Sequence, residues 1–285
     1  MNNNLKTVAL LGFMSALVWW IGITLFPDGG IYIGLLFAVG INAIAYFFSD
    51  KMAIAAARAK PVADNELPEV QSMLNRLAQY MDMPKPRLYY IDSPQPNAFA
   101  TGRNPKNAVV AVTAGILQLL TRDELEGVIA HELAHVKNRD ILISSIAAML
   151  AAALTIFGRM ALFTGGGRGR DNNPLSGILA LASMIVAPVA AMIIRMAISR
   201  SREFEADQTG ATVTGRPLNL ASALAKISQG TAQIPMRVNP AVSQLFISDP
   251  LKAFGARQTL GRLFSTHPPV EERIARLTSQ SSGMR

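Results

Sequence analysis

Hydrophobic residues along this chain are concentrated in four long stretches, separated by stretches in which polar and apolar positions alternate more finely. Each long stretch approaches the ~20 residues with which a helix crosses ~30 Å of hydrocarbon. The four stretches are Thr7–Phe26, Ile31–Phe48, Ile141–Phe163 and Ser176–Ile198. The second follows the turn PDGG with no evident cleavage site, which favours a retained hairpin over a signal peptide. The pattern predicts an α-helical integral membrane protein with four spans.

The third and fourth stretches are the less typical pair. They are rich in alanine, and they contain Arg159 and Arg195. Each arginine lies within four residues of the end of its stretch, where a long side chain reaches the headgroups. An alternative is that this pair packs against a soluble domain without fully crossing the membrane.

The polar region after the first hairpin has the periodicity of a small α+β domain. Residues 68–83 carry apolar side chains at helical spacing, and two strands are predicted at Arg87–Ile91 and at residues 107–113, with a short extended piece at Ala98–Thr101. We expect the strands to form a small antiparallel sheet. A capping box of Thr121 with Glu124 starts the next helix. That helix is expected to run without a break into the third hydrophobic stretch.

The order of these patterns predicts four parts. Residues 1–50 form a first transmembrane hairpin, and residues 51–140 form one cytoplasmic part of the chain. Residues 141–198 form a second hairpin. Residues 199–285 form the other cytoplasmic part, with a helix, a turn and a helix, then loop and short helix over 230–262, and a capped C-terminal helix.

Composition agrees with a membrane protein and narrows the chemistry. Half of the 285 residues are hydrophobic and only 16% are charged, which is unusually apolar for a soluble protein. The chain has no cysteine, so disulfides and thiolate metal sites are excluded. Its net charge of +8 is better explained by membrane orientation than by binding to nucleic acid.

The basic residues near the ends of the hydrophobic stretches are distributed unequally between the two sides. One side has Lys6, Lys51, Arg58, Lys60, Lys137, Arg139, Arg200 and Arg202, and the other has only Arg168 and Arg170. Because cytoplasmic loops carry an excess of lysine and arginine, this bias places both termini and the stretch IAHELAHVKNRD in the cytoplasm.

The stretch IAHELAHVKNRD contains the spacing of a catalytic metal site. Residues four apart on a helix point in nearly the same direction, so His131 and His135 can bind one ion. Glu132 lies about 100° round the helix from His131, beside the ion rather than on it. Zinc hydrolases need this arrangement, in which two imidazoles hold the metal and a nearby carboxylate takes a proton from the attacking water.

A third ligand is expected from SREFEAD, because catalytic zinc sites have three protein ligands and only one further histidine exists. Glu203 and Asp207 share one face of a helix, whereas Glu205 points away. One of the two would bind metal and the other would orient a histidine. His135 lies roughly 9 Å before the third hydrophobic stretch, and Glu203 lies roughly 7.5 Å after the fourth. The flanks TRDELEG and KNRD are charged. The site is therefore expected in water, close to the membrane surface.

Four stretches together resemble the HtpX family of membrane-bound zinc metalloproteases and, more distantly, the CAAX prenyl proteases. They are IDSPQPNAFATGRNP, AHELAHVKNRDIL, SREFEADQTG and STHPPVEERIARL. The resemblance implies a cytoplasmic gluzincin-like α+β domain in which His131, His135 and Glu203 bind one zinc ion and Glu132 is the general base. It also implies a quality-control endopeptidase of a bacterial inner membrane that cleaves damaged or misassembled membrane proteins.

Two further groups of residues each have a functional and a structural interpretation. Asn97, Ala98, Phe99 and Ala100 would bind an extended substrate backbone at a strand edge, or would form a structural turn. His267 in THPP would stabilise the oxyanion, or would belong to a helix entry with prolines in the first turn.

Other functions remain as alternatives. A processing protease for lipidated C-termini would need an enclosed chamber, for which four spans are few. An intramembrane protease would place HExxH in an apolar run. Against a channel or transporter with a structural zinc, the four stretches contain few ionisable groups beyond the two arginines near their ends, and no inverted repeat is visible. A non-enzymatic adaptor would not need Glu132. The expected partners are unfolded membrane proteins and the lipid bilayer.

Overall fold

The structure is a computed structural model that describes residues 30–147, 200–257 and 268–283, with scattered helical residues between 5 and 19. The predicted stretch Ser176–Ile198 and all but the first residues of Ile141–Phe163 lie outside the described residues, as does His267. The described helices and strands have the following bounds. The helices are Gly30–Ala56, Pro68–Tyr80, Ala114–Leu119, Arg122–Lys137, Arg200–Thr214, Pro217–Gln233, Pro240–Ser243 and Val270–Gly283, the 3₁₀ helices are Pro105–Asn107 and Lys252–Arg257, and the strands are β1 (Lys60–Pro61), β2 (Arg87–Ile91), β3 (Ala98–Thr101) and β4 (Val109–Thr113).

The predicted stretch Ile31–Phe48 lies within the helix Gly30–Ala56. Asn42 of this helix donates a hydrogen bond to the Ser15 hydroxyl at 2.6 Å, so the first two hydrophobic stretches are in contact. Large apolar side chains on the same helix are exposed, among them Tyr32 and Leu36. Within the part of the chain that the structure describes, no helix combines the length and the apolar character of a membrane span.

The sheet has four strands in the order β1-β2-β4-β3. The expected antiparallel pairing is found between β3 and β4, but it is wrong for β2 and β4, which are parallel. The reason is that the chain reverses twice between them, once into β3 and once out of it. β3 thereby becomes an edge strand, pairing with β4 on one side only within the sheet.

Three helices carry the functional residues. The histidine helix is Arg122–Lys137, the carboxylate helix is Arg200–Thr214, and the C-terminal helix is Val270–Gly283. The histidine helix lies at the centre of the domain, in contact with β3, the carboxylate helix and the helix Pro217–Gln233. Its apolar side chains Val128, Ile129, Leu133 and Val136 are fully buried in the main core.

The start of the histidine helix agrees with the sequence pattern, but its end does not. Thr121 and Glu124 form the predicted capping box. The helix ends at Lys137, two turn residues follow, and helix resumes at Asp140. Arg139 adopts a left-handed conformation with φ 58°, which a continuous α-helix does not allow. The expectation of an unbroken helix into the third hydrophobic stretch is therefore wrong.

Candidate active site

His131 and His135 project from one face of the histidine helix, as their spacing predicts. Their ring centroids are 4.7 Å apart and the ring planes are nearly perpendicular. His131 is 1% exposed, and Glu132 between them is 3% exposed. Because the capping box fixes where the helix begins and its apolar face is buried in the core, the direction of both imidazoles is set by the fold rather than by the site itself.

Glu203 on the carboxylate helix faces both histidines. Its Oε1 atom is 3.5 Å from Nε2 of His135, and its Oε2 atom is 4.0 Å from Nε2 of His131. One potential ligand atom from each of the three residues lies within 4.8 Å of the others. Asp207 is buried on the same face of this helix, whereas Glu205 is exposed. The helical phase predicted from the sequence is the one found in the structure.

The carboxylate helix approaches the histidine helix closely at Gly210. A methyl group at that position would lie 3.0 Å from the backbone nitrogen of His131 and 3.2 Å from its Cα atom. These distances are shorter than ordinary van der Waals contact, so a side chain there would push the two helices apart. Glycine at this position lets Glu203 and the histidines meet.

His131 is held by a carboxylate and an arginine from two other helices. Its Nδ1 atom is 3.0 Å from Oδ1 of Asp207. Asp207 in turn accepts two hydrogen bonds from Arg273, from Nε and from Nη2, both at 2.7 Å. Burial lowers the pKa of His131 to about 4, although Asp207 acts in the opposite direction. Burial alone would raise the pKa of Asp207, but Arg273 and His131 outweigh it and lower that pKa to about 2.

His135 is held by a second carboxylate and a second arginine. Its Nδ1 atom is 3.1 Å from Oδ2 of Asp140, and Oδ1 of Asp140 is 3.4 Å from Nη1 of Arg202. The break after Lys137 makes this contact possible, because five residues along an unbroken helix Asp140 would point about 140° away from His135. Burial would lower the pKa of His135, but Asp140 and Glu203 outweigh burial and raise it to about 9.

The donors present fit a divalent metal ion. Both histidines direct Nε2 to Glu203 and Nδ1 to an aspartate, which is the orientation that carboxylates impose on metal-binding imidazoles. On a tetrahedron with bonds of ~2.0–2.2 Å, ligand atoms are roughly 3.3–3.6 Å apart, and the distances to Glu203 need only a small contraction. Four carboxylates around the site face two guanidinium groups, so a dication would neutralise the excess negative charge. These are Glu132, Asp140, Glu203 and Asp207 against Arg202 and Arg273.

A cleft opens over the histidines and reaches the edge strand β3. Glu132, Glu203 and Ala100 line it. Of the four residues predicted to bind substrate, only Ala100 lines the cleft. The Asn97 side chain hydrogen-bonds the backbone of Ser248, the Ala98 carbonyl accepts from Ile247, and the Phe99 ring packs on Phe246. Substrate binding by Asn97, Ala98, Phe99 and Ala100 stays a prediction, and Ala100 is the one of the four that lines the cleft.

Three charged residues of the site were not found from the sequence. Asp140 lies inside the stretch that carries the histidines, and Arg202 lies next to Glu203, but neither spacing predicts a contact with His135 or with each other. Arg273 belongs to a helix interpreted only as a capped helix. A buried arginine at the first turns of an amphipathic C-terminal helix is visible only once the helix is docked.

Comparison with known proteins places this site in a family. The model of the family described as Peptidase family M48 matches residues 64–281, a range that includes the histidine and carboxylate helices and all but the last two residues of the C-terminal helix. The chain belongs to peptidase family M48. It is 47% identical over 286 residues to a protein called Protease HtpX homolog from Pelotomaculum thermopropionicum, covering 98% of this chain and 99% of the relative. It is 50% identical over 275 residues to the protein of the same name from Salinibacter ruber, covering 96% and 97%.

Among solved structures, the chain is similar to the crystal structure of S. mikatae Ste24p, with a TM-score of 0.52 and 17% identity. The match covers 96% of this chain and 64% of that protein, and it shows a shared fold. The resemblance to the HtpX family is confirmed by these comparisons. This M48 peptidase is a metalloendopeptidase, and its cluster of His131, His135 and Glu203 is suited to hold the metal.

Proposed function

We propose that this M48 peptidase is a membrane-bound zinc endopeptidase that hydrolyses damaged or misassembled membrane proteins at the cytoplasmic face of a bacterial inner membrane. The observation that carries the proposal is the cluster of His131, His135 and Glu203, with Glu132 in the same cleft. Two imidazoles with one carboxylate form a ligand set of catalytic zinc sites. Zinc held there would polarise the scissile carbonyl and raise the acidity of water.

The residues of the chain divide the remaining work. Glu132, buried beside His131, takes a proton from the attacking water and returns it to the leaving amine. Asp207 and Asp140 keep each imidazole turned so that Nε2 is directed to the cleft. An extended peptide would lie along the Ala100 end of β3, where a strand edge can pair with any backbone irrespective of its side chains. Such binding favours unfolded substrates.

The membrane part of the proposal rests on the first hairpin and on charge. Tyr32 is 79% exposed and Leu36 is 73% exposed on one helix, and exposed apolar surface of this kind marks contact with lipid or with another protein. The eight-to-two distribution of basic residues favours a cytoplasmic site. The four parts 1–50, 51–140, 141–198 and 199–285 follow from this topology.

The decisive experiment separates metal binding from hydrolysis. We expect the purified chain in detergent to contain about one zinc ion, to cleave casein and an unfolded membrane protein, and to stop when zinc is chelated. Glu132→Gln should keep the zinc and lose cleavage, because only the proton acceptor is removed. Glu205→Gln, an exposed change on the carboxylate helix, is the matched control and should cleave normally. Normal cleavage by a folded Glu132→Gln protein would exclude this mechanism.

A further inference from the structure

A short segment of the chain lies along the outer edge of β3, on the side that is not paired with β4. Phe246 forms an antiparallel bridge with Phe99, and their rings are 4.9 Å apart. The Ile247 amide donates to the Ala98 carbonyl at 2.9 Å. One residue further, the Ser248 carbonyl accepts from Asn97 at 2.8 Å. The segment is therefore fixed to the sheet by backbone pairing and by packing.

Gln244 stands at the beginning of this segment and lines the active-site cleft together with His131, Glu132, His135 and Glu203. The residue is only 5% exposed. Neither its Oε1 atom nor its Nε2 atom has a hydrogen-bond partner among the residues that the structure describes. A buried residue whose amide has both ends unpaired thus forms part of the wall of the active-site cleft.

An unpaired buried polar group destabilises the folded state and calls for an explanation in a native structure. Other buried glutamines in the described part of the chain are at least half satisfied. Gln95 donates to the carbonyls of Ile234 and Pro250, and Gln71 donates to the carbonyl of Ala63. These two serve the fold, and neither lines the cleft. Gln244 differs from them in both respects.

The edge strand β3 reaches the same cleft at Ala100. Alternate residues of a strand direct their N–H and C=O groups to the same edge. Since Ala98 points its carbonyl outward to Ile247, Ala100 points its backbone outward as well. The bridge between Phe99 and Phe246 sets Leu245 beside Ala100, so the fixed segment covers the outer edge of β3 as far as Ala100. A peptide entering beyond the fixed segment would meet the end of β3 after Ala100 and Gln244, the residue at which the segment begins.

We propose that Gln244 binds the backbone of the substrate, donating from Nε2 to a carbonyl oxygen and accepting at Oε1 from an N–H of the peptide that crosses the site. An amide presents one acceptor and one donor group, which matches a peptide unit. Recognition of this kind depends on an extended backbone and not on side chains. The inference rests on the peptide hydrolysis proposed above, and it adds a substrate-contacting residue that selects unfolded segments.

The test compares Gln244→Met, which keeps the approximate shape but loses both hydrogen-bonding ends, with Gln71→Met. We expect Gln244→Met to lower kcat/KM by roughly 10- to 100-fold with zinc content unchanged. In a Glu132→Gln background, it should weaken binding of an uncleaved extended peptide by a similar factor. Its melting midpoint should be equal to or above that of the parent, because an unpaired polar group has been removed from a buried site.

The matched control loses a buried amide that lies outside the cleft. Gln71→Met should keep the parent kcat/KM and peptide affinity. Equal kcat/KM and peptide affinity in Gln244→Met and its parent would overturn the proposal, as would a loss of activity that follows a lower melting midpoint and lost zinc. A parent protein that cleaves nothing would instead overturn the proposed function, and the binding assay would still decide the role of Gln244.

Discussion

Each histidine of this site contacts an aspartate, which in turn contacts an arginine. These two series of contacts, one for His131 and one for His135, differ in where their residues lie along the chain. The His131 series, through Asp207 and Arg273, joins three helices that are far apart in the chain. The His135 series uses Asp140, only five residues away. The first series therefore exists only when the C-terminal helix is docked, whereas most of the second is local.

The two series also differ in geometry and burial. Arg273 holds Asp207 with two hydrogen bonds of 2.7 Å, while Arg202 reaches Asp140 at 3.4 Å. The side chain of His131 is 1% exposed and that of His135 is 15% exposed. The His131 side of the site is thus more buried and more closely hydrogen-bonded, and the His135 side is partly exposed. We infer that the His131 side sets the position of the metal and the His135 side adjusts to it.

Glu203 connects the two sides, so its loss should have the largest effect. Glu203→Ala should leave metal-depleted, inactive protein, because two imidazoles alone do not make the three-ligand set of a catalytic zinc site. Glu205→Ala, on the exposed face, should keep most of both metal and activity. Zinc content after dialysis and peptide cleavage measure the two effects. If Glu205→Ala lost its zinc while Glu203→Ala kept both zinc and activity, Glu205 and not Glu203 would be the carboxylate that faces the histidines.

Loss of Arg273 should lower the free energy of unfolding more than loss of Arg202. Arg273→Met leaves the buried Asp207 carboxylate without its cation, which costs about 3–5 kcal/mol for a buried pair. Arg202→Met should cost about 1–2 kcal/mol, because its contact with Asp140 is longer, at 3.4 Å. Arg276→Met, an exposed change on the same helix as Arg273, is the control. Thermal unfolding in detergent gives the order, and equal losses for Arg202 and Arg273 would remove the distinction between the sides.

Local periodicity was sufficient for the parts of the site that lie on one helix. The four-residue spacing placed His131 with His135, and the same rule selected Glu203 and Asp207 over Glu205, because helical phase depends only on position along the chain. The capping box was likewise readable, since its partners are three residues apart. Their roles as metal ligands and base stay predictions until metal binding is measured.

Tertiary structure decided what the pattern could not. The parallel pairing of β2 with β4 depends on β3 passing to the far edge, which strand propensity does not encode. The left-handed Arg139 ends a helix within a sequence that favours its continuation, and Asp140 gains its contact with His135 through that break. Arg273 reaches Asp207 across 66 residues, so no spacing rule could have found it. The role of His267 and the second hairpin remain predictions.

Loss of the Asp207 carboxylate should lower zinc affinity more than loss of the Asp140 carboxylate. Loss of a carboxylate that orients a metal-binding imidazole typically costs 10- to 100-fold. We expect Asp207→Asn to lie near the upper end, because no water can replace the carboxylate in the buried contact. Asp140→Asn should lie near or below the lower end, since His135 is partly exposed. Competition with a zinc chelator measures both affinities. A weaker effect at Asp207 than at Asp140 would show that the His135 side, and not the His131 side, sets the position of the metal.

The pH dependence of the stability of the metal-free protein should have opposite signs on the two sides of the site. The pKa of His131 is lowered from 6.5 to about 4, so the folded state resists protonation and stability is lost as pH falls from about 6.5 to about 4. The pKa of His135 is raised from 6.5 to about 9. Its contribution is fully present below about pH 6.5 and is lost as pH rises to about 9. Each slope is at most about 1.4 kcal/mol per pH unit.

The metal-free protein should therefore be most stable near pH 6.5, with a melting midpoint that declines on both sides. Asp140→Asn should flatten the alkaline side and leave the acid side, because Asp140 contributes to the raised pKa of His135 but does not contact His131. Bound zinc should also flatten the alkaline side, since metal-binding imidazoles are neutral. The measurement is the melting midpoint at pH 5, 6.5 and 8.5 with and without zinc. A midpoint that rises steadily to pH 8.5 in the metal-free parent would show that the environment of His135 does not favour its charged form.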